Sequence, residues 1–261
     1  MADSVHGRAQ HRGRSGRLRH VTQATREALL TGARWLRRQE ASMLVAALVI
    51  LLALFGFFKI SEELGEGELA HLDESLLHAL RVPGQPDRPI GPPWLIEAAQ
   101  DITALGGRTM LVAVTLFAIG YLALERKYGA MWLVAVATAG GGVLSTGMKE
   151  LFDRERPDLV PHLVSVSSPS FPSGHSLLAA VLYLTLGALL ARFAVGRRTK
   201  VYVLTVALFA TFMIGSSRVY LGVHYPSDVL AGWCAGLGWA LSCWLVARYL
   251  QARGTVGETG T

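Results

Sequence analysis

Three short polar stretches interrupt the apolar ones: KELFDRERP at 149–157, PSGH at 172–175 and SRVYLGVHYPSD at 217–228. Among their residues are two histidines (His175 and His224), the aspartate Asp228 and the cations Lys149, Arg156 and Arg218. His224 and Asp228 are four apart, so the carboxylate could hold one imidazole nitrogen and leave the other as a nucleophile or base. Pro172 suits the first position of a helix. That would place the N–H groups of Ser173 and Gly174 at a helix start, where free donors and the helix dipole both favour an anion. Gly174 also lets an anion come close, having no side chain. Lys149 and Arg156 share a face, about two turns apart, if the helix before them continues. Taken singly, each stretch reads equally well as an ordinary helix end with a cap or flanking charges.

Read together, the stretches match one chemistry. Phosphoryl transfer needs positive charge on the equatorial oxygens, an in-line nucleophile and a proton for the leaving oxygen. Arginine's planar fork suits phosphate oxygens, and lysine acts as a point charge. Peptide hydrolysis would instead ask for a serine or cysteine nucleophile or a metal. No independent metal cluster stands out, since His162 by itself makes a poor ligand set, and no cofactor is expected.

The elements that must position these groups are long and apolar. The chain has 261 residues, 51% hydrophobic and only 17% charged, against about 25% charged in a soluble domain. Six runs approach the roughly 20 residues a membrane helix needs: 42–59, 109–125, 130–148, 176–195, 201–217 and 228–249. The reading is therefore all-α, a six-transmembrane-helix bundle. The first run is too long for a signal h-region and is expected to stay as an anchor. Small residues such as AGGGVLSTG at 139–147 would allow close helix contact. Cys234 and Cys243 fall in one run about 13 Å apart along a helix, too far to pair.

The net charge of +6 could mean nucleic acid, acidic lipid or topology. The cations cluster in short stretches between apolar runs, which favours topology, and no nucleic-acid partner is expected. Alternating the runs puts 17 lysines and arginines on one side and 8 on the other. Positive-inside bias then places both termini in the cytoplasm and all three polar stretches at the outer face. Residues 1–41 read as a basic tail, its part from 21 to 40 either an interfacial helix or loosely ordered. Residues 42–250 read as the membrane domain and 251–261 as a second tail. The outer segment 60–108 carries an amphipathic helix at 71–81, with Leu72, Leu76, Leu77 and Leu80 on one face. A turn-rich linker follows from Pro83 to Pro93. A channel or transporter would want charges midway along the helices, and the runs lack them.

Lys149…Arg156-Pro157, Pro172-Ser173-Gly174-His175 and Ser217-Arg218…His224…Asp228 resemble the three-part signature of the type 2 phosphatidic acid phosphatase (PAP2) superfamily. All three parts match, in order and without departure, over 149–228. The resemblance implies a metal-independent membrane phosphatase in which His224 attacks phosphorus to form a phosphohistidine. Asp228 would orient His224, and His175 would protonate the leaving oxygen. Lys149, Arg156, Arg218, Ser173 and Gly174 would hold the phosphate. His224 must then be neutral and His175 charged, which implies a bell-shaped pH profile. Soluble haloperoxidases share the superfamily, but the membrane runs argue against that branch. A site level with the headgroups implies a lipid phosphate or polyprenyl diphosphate in the outer leaflet: phosphatidate, phosphatidylglycerophosphate or undecaprenyl diphosphate. A phosphotransferase using the same phosphohistidine is the alternative. The short chain suggests a bacterial inner membrane. Oligomeric state stays open.

Overall fold

The structure, a computed structural model, describes residues 40–166 and 168–253. The expectation for the basic segment before residue 40 lies outside them. The chain divides into two units, Met1–Ala46 and Ala47–Thr261, and apart from the first residues of α1 the second holds everything discussed below. Eight helices and one small hairpin occur among the described residues. They are α1 (Glu40–Glu66), α2 (Ala70–Ala79), β1 (Arg81–Val82), β2 (Gln85–Pro89), α3 (Trp94–Leu105), α4 (Arg108–Leu124), α5 (Tyr128–Phe152), α6 (Gly174–Phe193), α7 (Arg197–Tyr220) and α8 (Pro226–Ala252).

Five of the six expected spans are single helices long and apolar enough to cross a membrane: α1, α5, α6, α7 and α8. The run at 109–125 is different. It forms α4, whose 17 residues extend only about 26 Å at 1.5 Å per residue, short of a hydrocarbon core of about 30 Å. A sixth crossing exists only if α3 and α4 count as one span bent by 46°. The break falls at Gly106-Gly107, where neither side chain nor helix propensity holds the axis straight.

The segment 60–108, expected at the outer face, is richer than one amphipathic helix. Residues 81–89 pair as an antiparallel hairpin where a linker was expected, turning at Gly84 with φ +74°. The leucine face of α2 is also divided. Leu77 is fully buried, whereas Leu72 and Leu76 are exposed. The other buried side chain of α2 is Asp73, one turn before Leu77.

α6 packs against α5, α7 and α8 and is the most buried span. A helix enclosed all round has little amphipathic contrast. In lipid, apolar surface does not drive helices together, so close packing of small residues must. Gly232 and Gly236 of α8 supply it. A Cβ at Gly232 would stand 2.7 Å from the Ser173 carbonyl oxygen, and one at Gly236 would stand 2.4 Å from that of Leu177. Phe57, Phe152 and Phe171 pack together at the end of the bundle where α5 stops, their ring centroids 4.9–6.0 Å apart.

Gly236→Val is therefore expected to push α8 off backbone that cannot yield, costing about 3 kcal/mol in thermal unfolding of the detergent-solubilised protein. Gly142→Ala, with nothing within 4 Å of the added carbon, should be neutral or stabilising by up to about 1 kcal/mol. Equal behaviour of the two variants would refute the close α6–α8 approach.

Candidate active site

The C-terminal ends of α5 and α7 meet the N-terminal ends of α6 and α8. α5 stops at Phe152 because Asp153 turns into the left-handed region, φ +39°, a conformation aspartate tolerates better than most residues. Arg156 is therefore not on a continuing helix, as its spacing from Lys149 suggested, but in the loop beyond. The two cations still converge. The Lys149 ammonium donates to the Pro169 carbonyl, and Arg156 donates through Nε to the neighbouring Ser168 carbonyl at 2.7 Å. Ser170 pins this loop by donating through its N–H to the Arg154 carbonyl (2.8 Å) and through its hydroxyl to that of Glu155 (2.7 Å).

α6 begins at Gly174 with Ser173 as its cap, two residues later than Pro172 suggested. The Ser173 N–H is not free: it donates to the Asp228 carbonyl at 2.9 Å and so ties the starts of α6 and α8 together. The Ser173 hydroxyl accepts from the Ser176 N–H at 3.5 Å and from the Ser176 hydroxyl at 3.0 Å. The unspent donors at this end, among the described residues, are the N–H groups of Gly174 and His175. A side chain at Gly174 would abut Ser145 Oγ at 3.2 Å and Lys149 Cε at 3.5 Å, so this helix start lies directly beside the lysine.

His224 and Asp228 are both fully enclosed. Nδ1 of His224 lies 3.3 Å from Asp228 Oδ2, as their spacing allowed. On its other side, Nε2 lies 3.2 Å from Arg156 Nη1. Arginine can only donate, so Nε2 must be the accepting, unprotonated nitrogen, and Nδ1–H donates to the carboxylate. Burial pushes the imidazolium down to about 4, against the raising effect of Asp228 and with help from the charges of Arg156 and Arg218. The ring is thus neutral, with its lone pair facing the guanidinium. Arg156 Nη1 also donates to the Val223 carbonyl at 2.6 Å, which fixes the contact.

Arg218 is buried and donates through Nη1 to Thr103 Oγ1 of α3 at 3.0 Å. Its Nε has no partner. His175 packs against the α3–α4 break, 3.3 Å from where a Cβ at Gly106 would stand. It also lies within electrostatic reach of Arg218, His224, Arg156 and Lys149, and Lys149 within that of Arg156, Asp228 and Arg218. The eight residues singled out in the sequence thus gather at one end of the bundle. None of the three cations Lys149, Arg156 and Arg218 has a carboxylate within ion-pair distance among the described residues. Such a cluster, beside two imidazoles and open helix N–H groups, is built for an anion.

Sequence reasoning missed Asp73, Arg154 and Thr103. Arg154 lies inside the first polar stretch, and an acid among the leucines of 71–81 was a signal for Asp73. Thr103 carried none.

The sequence model of the PAP2 superfamily matches residues 130–252. The chain is 36% identical over 148 residues to phosphatidylglycerophosphatase B of Bacillus subtilis, covering 56% of this chain and 71% of that one. It is 29% identical over 181 residues to the lipid A 1-phosphatase of Rhizobium etli, covering 59% and 73%. The crystal structure of the transmembrane PAP2-type phosphatidylglycerolphosphate phosphatase from Bacillus subtilis superposes with a TM-score of 0.68 at 28% identity, over 78% of this chain and 96% of that one. The family model covers the polar stretches and nearly all of the helices beside them, and the chain belongs to the PAP2 superfamily, as a multi-pass membrane phosphatase.

Proposed function

We propose that the protein hydrolyses a lipid phosphate or polyprenyl diphosphate through a phosphohistidine on His224. The observation that carries this reading is the pair of contacts on one ring: Asp228 at Nδ1 and Arg156 at Nε2, 3.3 and 3.2 Å away. The nucleophilic lone pair is aimed where the cations converge. A phosphate there takes over the Nη1 donor of Arg156, together with Lys149, Arg218, the N–H groups of Gly174 and His175, and the Ser173 hydroxyl. Nε2 attacks phosphorus as the bond to the leaving oxygen breaks, and His175 supplies that oxygen's proton. Water then attacks the phosphohistidine, giving its proton back to His175, and inorganic phosphate leaves. Asp228 holds the ring and balances the positive charge it carries while phosphorylated.

Residues 42–250 form the phosphatase domain, between cytoplasmic tails 1–41 and 251–261, with the site at the outer, periplasmic face of a bacterial inner membrane. The positive-inside bias supports this orientation. The substrate class is supported by a site at the ends of apolar helices and by the relatives, which are named for phosphatidylglycerophosphate and lipid A. A lipid with tails in the outer leaflet presents its phosphate level with these helix ends.

Three outcomes are expected. Wild type given ³²P-phosphatidate and quenched in alkaline detergent should carry label that is stable to alkali and labile to acid. His224→Ala should lose both the label and at least about 10³-fold in phosphate release. Because burial holds the His224 pKa down, the nucleophile stays neutral as pH falls, so the acid limb of kcat/KM should lie well below 6.5, toward 4. An acid limb at or above 6.5 would contradict that environment. In a Cys234→Ala/Cys243→Ala background, Asp158→Cys should react with an impermeant maleimide on intact cells and Glu125→Cys should not. The reverse pattern would invert the topology.

A further inference from the structure

A second carboxylate, outside the three polar stretches, grips the same cluster. Asp73 of α2 is 2% exposed. Its Oδ1 accepts the Ser227 N–H at 2.9 Å, an acid at the positive end of α8. Its Oδ2 accepts from the Ser227 hydroxyl and from Arg154 Nη2 at 3.0 Å. The other arm of the same guanidinium, Nη1, donates to Asp228 Oδ1 at 2.6 Å and to Ser227 Oγ at 2.9 Å. The guanidinium carbon sits 4.3 Å from the centre of the Tyr225 ring.

This arrangement is unusual for arginine, whose two arms favour closing on one carboxylate. Here the fork is split between two. If both arms closed on Asp228, Nη2 would take Oδ2, the oxygen that accepts from His224 Nδ1 at 3.3 Å and from the Tyr225 N–H at 2.9 Å. The Arg154 contact, 2.6 Å and between full charges, would win that contest against a neutral imidazole. We infer that Asp73 is a positioning residue: it withholds one arm of Arg154 from Asp228 and so reserves Oδ2 for His224. The inference rests on the reading of His224 as nucleophile. It gives α2 a task beyond covering the bundle, since Leu77 docks the helix and Asp73 reaches the start of α8.

The test uses the full chain in detergent micelles, with dioleoyl phosphatidate as the probe and ¹⁵N-histidine NMR beside kinetics. The His224 resonances are assigned by their loss in His224→Gln. Wild type should show the Nδ1–H tautomer. Asp73→Asn keeps the side chain's size and should shift His224 toward the Nε2–H form. It should lower kcat about 10- to 100-fold, with KM within about twofold, in protein that stays folded below a lowered thermal midpoint. In Asp73→Asn/Arg154→Gln the competing arm is gone and the net charge restored, so the Nδ1–H signal and part of kcat should return. Arg154→Gln alone should keep the Nδ1–H tautomer, and Asp73→Ser should shift it as Asp73→Asn does, which decides the matter even if Asp73→Asn misfolds. An unchanged tautomer in folded Asp73→Asn, a double variant no better than the single, or loss of the tautomer in Arg154→Gln would each overturn the inference. Wild type inert toward every lipid phosphate would instead sink the phosphatase reading, and the tautomer measurements would still decide this one.

Discussion

A carboxylate with no access to water must be met by donors on both oxygens, and that demand at Asp228 organises the end of the bundle. Its donors come from separate places: the loop after α5 through Arg154, and the turn before α8 through His224 and the Tyr225 N–H. Arg154 in turn brings in Asp73 of α2. Removing one partner of a buried ion pair costs about 3–5 kcal/mol, so these segments are held together by one charge. The same carboxylate selects the Nδ1–H form of His224 and leaves Nε2 facing outward to Arg156.

The positive side of the cluster is held differently. Lys149, Arg156 and Arg218 are anchored on neutral acceptors: the carbonyls of Pro169, Ser168 and Val223 and the hydroxyl of Thr103. Carbonyl and hydroxyl dipoles fix where these side chains point without cancelling their charge, as a carboxylate would. In a poorly screened setting that charge acts strongly. The starts of α6 and α8 add their dipoles. The result is a preorganised field for an anion, the feature that phosphoryl transfer most needs from a protein.

Backbone proximity makes the field possible. The Ser173 N–H reaches the Asp228 carbonyl because Gly232 lets α8 lie against Ser173, and Gly236 continues the contact one turn on. The bend between α3 and α4 does similar work on the opposite side, placing Thr103 on Arg218 and Gly106 against His175.

The polar residues that gather in the cluster were legible in the sequence because they stand out by local spacing. His224 and Asp228 are one helical turn apart, Ser173 and Gly174 start an apolar run, and those runs are long enough to span a bilayer. Apolar length alone determined five of the helices. What local spacing could not carry was decided by tertiary contact. Arg156 meets Lys149 through a left-handed turn at Asp153, not along a helix. The Ser173 N–H is consumed by a residue 55 positions away. The run at 109–125 completes a span only with α3, across a bend. Asp73 looked like the polar edge of an amphipathic helix, yet it is buried, because Ser227 and Arg154, some 80 to 150 residues further on, satisfy both of its oxygens. Periodicity records which face of a helix avoids water, but a buried charge is tolerable only once its partners arrive, and in this chain they arrive from the far ends of other helices.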